Sequence, residues 1–121
     1  MLVMKFGGAS LADSNNFSNA VDWIVKQKEV VVVVSAMKNV TNELVQCLDL
    51  AKLGKYQYVS DKLSLLRESH AKVVRDLINQ PESLDLEISA LFIEARTLLQ
   101  GVASFQEIPP RAHDRLLSLG E

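Results

Sequence analysis

Lys5, Gly7 and Gly8 stand together where an apolar run, Leu2 to Phe6, gives way to polar sequence. Glycines at the end of a strand leave backbone N–H groups open to a ligand that a bulkier side chain would fend off, and phosphate oxygens suit such a turn. The Lys5 ammonium adds a mobile charge able to follow a phosphoryl group as its negative charge redistributes, and the positive end of a helix after the turn would reinforce it. The same spacing also describes an ordinary strand-to-helix turn with Lys5 in solvent. The pattern is neither G-x-G-x-x-G nor a Walker loop, because the third glycine is missing and no G-K-[ST] closes it.

Ser35, Thr41 and Asn42, in "VVVVVSAMKNVTNEL", form a second polar group directly after a valine run. Their side chains are short and able to donate hydrogen bonds to a carboxylate or phosphate. They are equally ordinary helix caps, Thr41 above all, since it sits where a helix should start.

The elements that must bring these residues together are legible as a pattern. Leu2 to Phe6, apolar apart from Lys5, and Val30 to Val34 have the texture of parallel strands covered on both faces. Between them Phe17, Ala20, Val21, Ile24 and Val25 recur at helical spacing, with Asp13 or Ser14 available as the N-cap. Strand, helix and strand make a βαβ unit, and its right-handed crossover places the carboxyl ends of both strands on one sheet edge. The "GGAS" and "SAMKNVTN" loops are therefore expected to meet.

Beyond this unit the chain reads as helix. Leu44, Val45, Leu48 and Ala51 predict a helix from about Thr41 to Gly54. Val59, Leu63, Leu66, His70, Val73, Val74 and Leu77 form a longer stripe ending at Pro81, and Leu84 through Val102 form another, so the two helices should pair antiparallel. Pro109 and Pro110 open a last helix carrying Leu116, Leu117 and Leu119. His70, Trp23 and Met37 read as packing residues, and Arg111, Asp114 and Arg115 as pairs on a solvated helix face.

Composition excludes several classes. A net charge of -2, with 13 Lys and Arg against 15 Asp and Glu along the chain, offers no basic field for nucleic acid or anionic lipid. The single cysteine, Cys47, reads as an inert core thiol, and no cluster of Cys and His has zinc spacing. No apolar run approaches the roughly 20 residues of a membrane span, so a cytoplasmic protein without nucleic-acid or membrane partners is expected.

With both loops in view, the chain resembles the N-terminal part of an aspartokinase of the amino acid kinase superfamily. Matching blocks occur in order: "VMKFGGAS" at Val3 to Ser10, "VVVVSAMKNVTNEL" at Val31 to Leu44 and "RAHDRLLSLGE" at Arg111 to Glu121. The first is shared loosely across the superfamily, whereas the second and third point to aspartokinases. The resemblance implies an α/β fold: the N-terminal fragment of an αβα sandwich, a parallel βαβ pair followed by a mostly helical segment. It further implies transfer of the ATP γ-phosphate to the side-chain carboxylate of L-aspartate, the first step toward lysine, threonine and methionine. Another small carboxylate as acceptor, or a non-catalytic assembly module, are the alternatives.

By position, the resemblance makes Lys5 the lysine that stabilises the transferring phosphoryl group. It sets Gly7, Gly8 and Ser10 at the ATP phosphates, Ser35 and Thr41 on the substrate side, and Glu121 at the ammonium of aspartate. The family usually carries Thr where this chain has Ala9. Mg2+ is expected to accompany ATP with its ligands outside residues 1–121, and the full-length parent is expected to be a homo-oligomer. Since two strands make a poor sheet and the chain stops at "LLSLGE", residues 1–121 are expected to be an incomplete kinase domain without turnover of its own.

Overall fold

The computed structural model describes residues 1–121. Strand β1 (Leu2–Phe6) is followed by a single 3-10 turn over Gly8–Leu11, helix α1 (Ser14–Ile24) and strand β2 (Val30–Val34). Four helices complete the chain: α2 (Val40–Lys52), α3 (Tyr56–Leu77), α4 (Glu82–Phe105) and α5 (Pro110–Gly120). The strands pair in parallel, with Leu2 opposite Val30 and Phe6 opposite Val34. The expected βαβ unit and the helical remainder are both present.

Local chemistry explains most boundaries. Asp13 is the α1 cap, its carboxylate accepting from the Asn16 N–H at 2.9 Å. Gly54, at φ 75°, closes α2 in the left-handed region that favours glycine, its N–H bonding the Ala51 carbonyl at 2.8 Å. Pro110 occupies the first turn of α5, where a missing N–H costs nothing.

The helices α3 and α4 do run antiparallel. Arg96 donates to the Ser60 hydroxyl at 3.0 Å and Arg67 to that of Ser89 at 2.7 Å, so rising positions on α3 meet falling positions on α4. Lys62 on α3 pairs with Glu43 on α2 at 2.8 Å. Ser14, at the start of α1, donates to Asp76 near the end of α3.

The core lies in the helical layer. Its buried cluster includes Leu44, Leu48, Leu63, Leu99 and Leu116 and no residue of either strand. Val31 to Val34 remain 38 to 50% exposed, against the expectation of strands covered on both faces. The physical reason is that β1 and β2 form the entire sheet here, and one strand pair has open edges and no second layer of its own.

Three side chains differ from the sequence reading or sharpen it. Trp23 is not a packing residue; it is 60% exposed, with the Lys26 ammonium 5.4 Å from its ring centre. Arg115 reaches across to Glu94 on α4 rather than along its own helix. His70 does pack, with its ring edge against Phe92 and Nδ1 2.7 Å from the Leu66 carbonyl, so Nδ1 carries the proton and donates.

Cys47 is the inert core thiol the sequence implies. Burial pushes its pKa up to about 11, opposed by Lys62 and assisted by Glu43. A thiol whose pKa is raised by folding supports the native state fully below its unfolded value near 9 and withdraws that support as pH climbs toward 11. Between pH 9 and 10.5 the loss should grow by about 1.5 kcal/mol. Urea unfolding of the wild type and Cys47→Ala should therefore show a stability difference that shrinks by that amount over this range. A constant difference would mean the thiol is not desolvated.

Candidate functional site

Parallel pairing brings both loops to one edge of the sheet. The Ser35 N–H donates to the Phe6 carbonyl at 3.1 Å, extending the ladder past β2 and tying the second loop to the residue before Gly7. The loops then touch. A Cβ on Gly8 would lie 3.3 Å from the Lys38 Cα and 3.7 Å from the Ala36 carbonyl oxygen, so a side chain there would press on backbone that cannot easily retreat. Gly8, Ser35, Ala36, Met37, Asn39, Thr41 and Asn42 border an open hollow of about 180 Å³, lined mostly by polar residues.

The two glycines serve different ends. Gly7 has an ordinary extended backbone, φ -83° and ψ -179°, and a Cβ there would meet nothing within 4 Å. Neither strain nor packing within the chain calls for glycine, and what its absent side chain provides is bare backbone facing open space. Gly8 is required by the contact between the loops.

The turn after the glycines departs from the sequence reading. Gly7 and Gly8 lead into a 3-10 turn, with the Ser10 N–H bonding the Gly7 carbonyl at 3.0 Å, and α1 begins only at Ser14. The N-terminus of α1 is capped by Asp13 and stands six residues beyond Gly8, so it does not open directly from the glycine turn.

The second loop holds another difference. Thr41 is not the α2 cap. Asn39 is, with φ 68° and ψ -4°, a left-handed conformation that asparagine tolerates better than most residues, and it makes no side-chain capping bond. The tight reversal at Asn39 leaves Thr41 and Asn42 exposed in the first turn of α2, on the rim of the hollow, with their side chains free of capping duty. Glu43, in the same turn, suits the positive helix start. The Ser35 hydroxyl donates to the Ala36 carbonyl at 2.9 Å, and rotation about its Cβ–Oγ bond would turn that proton toward an anion in the hollow.

The other candidates lie around this centre. Lys5 is exposed on β1 opposite Val33, on the face away from half-buried Met4 and Phe6, and makes no hydrogen bond or ion pair with the chain. Ser10 is exposed beyond the glycine turn and does not line the hollow. Glu121 lies outside the hollow too. It lines a neighbouring, mainly apolar cavity of about 250 Å³ together with Leu11, Val34, Ser35, Met37 and His70. Ser35 and Met37 border both spaces. The structure thus joins Gly8, Ser35 and Thr41 directly and reaches Glu121 through Ser35, while Lys5, Gly7 and Ser10 stand at the same sheet edge or strand without lining either space.

Chemically the hollow presents neutral donors and a glycine approach, an environment for a small anion rather than for a metal. No three His, Cys, Asp or Glu side chains gather in the chain in a way that could hold a metal ion. No helix is long and apolar enough to cross a membrane.

Comparison with known proteins completes the description. The model of the amino acid kinase family matches residues 1–121. Aspartokinase 1 of the Arabidopsis thaliana chloroplast is 32% identical over 124 residues, covering 98% of this chain and 21% of that protein. The aspartokinase of Chlamydia trachomatis is 30% identical over 121 residues, covering 99% of this chain and 25% of its own length. The chain therefore spans a quarter or less of these relatives. In structure it resembles E. coli aspartokinase III in complex with aspartate and ADP, with a TM-score of 0.86 and 29% identity, over 100% of this chain and 26% of that one.

Proposed function

The chain belongs to the amino acid kinase family, and from that premise we propose that it forms the N-terminal portion of the kinase domain of an aspartokinase. In this reading the completed enzyme transfers the γ-phosphate of ATP to the side-chain carboxylate of L-aspartate, giving 4-phospho-L-aspartate and ADP. The observation that carries it is the meeting of the Gly8 turn with the Ser35–Asn42 loop around one polar hollow at the carboxyl edge of a parallel strand pair.

In this reading each group has a role. A carboxylate oxygen of aspartate attacks the γ-phosphorus while the bond to the ADP oxygen breaks, so negative charge spreads over the transferring group. Bare backbone at Gly7 lets phosphate oxygens approach, and the unpaired Lys5 ammonium offsets the charge as it moves. The Ser35 and Thr41 hydroxyls hold the acceptor, and the Glu121 carboxylate faces its ammonium group. Ser10 supplies a further hydroxyl beside the phosphates. Magnesium accompanying ATP is assigned to no residue of this chain, and no step above depends on it. The exposed β1–β2 face and its edges are covered in this reading by the rest of the kinase domain.

The decisive experiment is a coupled assay of ADP formation by the full-length protein with L-aspartate and with a panel of other small carboxylates. Formation that depends on aspartate is expected, and ADP released only with another acceptor would replace the substrate. The open valine strands favour one second reading, a non-catalytic assembly module, and full-length protein that is inactive toward every carboxylate but stably self-associated would favour it.

A further inference from the structure

Gly120 is the last residue of α5, and its backbone does not explain its identity. It is not in the left-handed region, where Gly54 is the only glycine. Within a helix alanine would be more favourable by about 0.5–1 kcal/mol. Space does explain it. A Cβ on Gly120 would lie 2.8 Å from Leu44 Cδ1 and 3.2 Å from Val40 Cγ1. Both partners are buried and belong to the first half of α2, Val40 immediately before Thr41.

The end of α5 therefore packs backbone-close against the turn that carries the rim of the polar hollow. Two other contacts hold α5 in that pose. Leu116 is fully buried in the core, and the Arg115 guanidinium grips Glu94 with both ends of its fork, Nε to Oε1 at 2.7 Å and Nη2 to Oε2 at 2.9 Å. Glu121 follows Gly120 directly, with its N–H 3.2 Å from the Ser118 carbonyl. Of the contacts that fix α5, Gly120 against Val40 and Leu44 is the one that lies directly between Glu121 and the turn carrying Thr41.

We propose that Gly120 is a positioning residue that registers Glu121 against the Ser35–Thr41 side of the acceptor site, and so governs the affinity for the amino-acid substrate rather than for nucleotide. The inference rests on the aspartokinase reading above and adds to it a specific mechanical link.

The test is steady-state kinetics of the full-length protein carrying Gly120→Ala. The added methyl lifts the end of α5 from α2, so KM for L-aspartate should rise about tenfold while KM for ATP stays within twofold. Adding Leu44→Val, which removes the atom nearest the new methyl, should bring KM for aspartate back to within twofold of the Leu44→Val protein. A residue of merely structural importance would lower thermal stability without separating the two KM values. A folded Gly120→Ala protein with unchanged aspartate KM, or with both KM values raised equally, overturns the proposal. If Gly120→Ala alone does not fold, the double variant decides: a KM matching Leu44→Val supports it, and one that stays raised refutes it. Wild-type protein that forms no ADP with aspartate removes the functional reading itself, and does so before any variant is compared.

Discussion

On the proposed aspartokinase reading, Lys5→Met in the full-length protein is expected to lower kcat by about a hundredfold to a thousandfold, the range seen when one group stabilising transition-state charge is removed. Lys5 lends itself to this test because it does nothing else. It lies exposed on β1, makes no ion pair or hydrogen bond, and methionine keeps most of its apolar stem. Stability should change by no more than about 0.5 kcal/mol, as for other surface positions. Lys5→Arg keeps the charge but replaces a compact ammonium on a flexible stem with a wide planar fork, so partial activity is expected. KM for aspartate should move little in either variant. Activity of Lys5→Met equal to wild type in an aspartate-dependent assay would strip Lys5 of its role while leaving the acceptor site intact.

The readable part of this site was the part dictated by topology. Uninterrupted β-branched residues at Val30 to Val34, with a helical stripe before them, leave parallel pairing as the economical solution, and parallel pairing alone puts the ends of β1 and β2 on one edge. The meeting of Gly8 with Ser35 and Thr41 is a consequence of that chirality. What the sequence hid depends on short-range competition or on distant partners. Thr41 has cap chemistry, yet Asn39 takes the cap position because the chain must reverse sharply there and asparagine accepts φ 68°. Nothing in "GGAS" separates a 3-10 turn from the first turn of a helix, and Asp13 three residues on proves the stronger start signal. Arg115 could have bonded within its own helix, and only the packing of α5 against α4 offers it Glu94. Gly120 gave no signal at all, since a helix-end glycine is ordinary until Leu44 is known to lie against it.

Leu99→Ala and Val33→Ala, made separately in residues 1–121, should differ several-fold in cost although both remove apolar carbon. Leu99 is fully buried on α4 within the core cluster, and deleting three of its carbons leaves a cavity that surrounding helices cannot fully close, a loss of about 3–4 kcal/mol. Val33 is 45% exposed, lies opposite Lys5, and belongs to a strand that contributes nothing to that cluster, so its loss should cost about 1 kcal/mol or less. Chemical unfolding of the three proteins measures both. The same pair in the full-length protein asks a further question, because on the proposed reading the rest of the domain covers this sheet face and turns Val33 into a core residue. Its cost there should rise to about 2 kcal/mol while that of Leu99 holds, since the environment of Leu99 is complete within these residues. An equal, small cost for Val33 in both proteins would mean that this face stays open in the whole enzyme, and the placement of β1 and β2 inside a larger sheet would have to be given up. A large cost already in residues 1–121 would instead point to strands covered by self-association, which light scattering over a dilution series would reveal as a mass that falls with concentration.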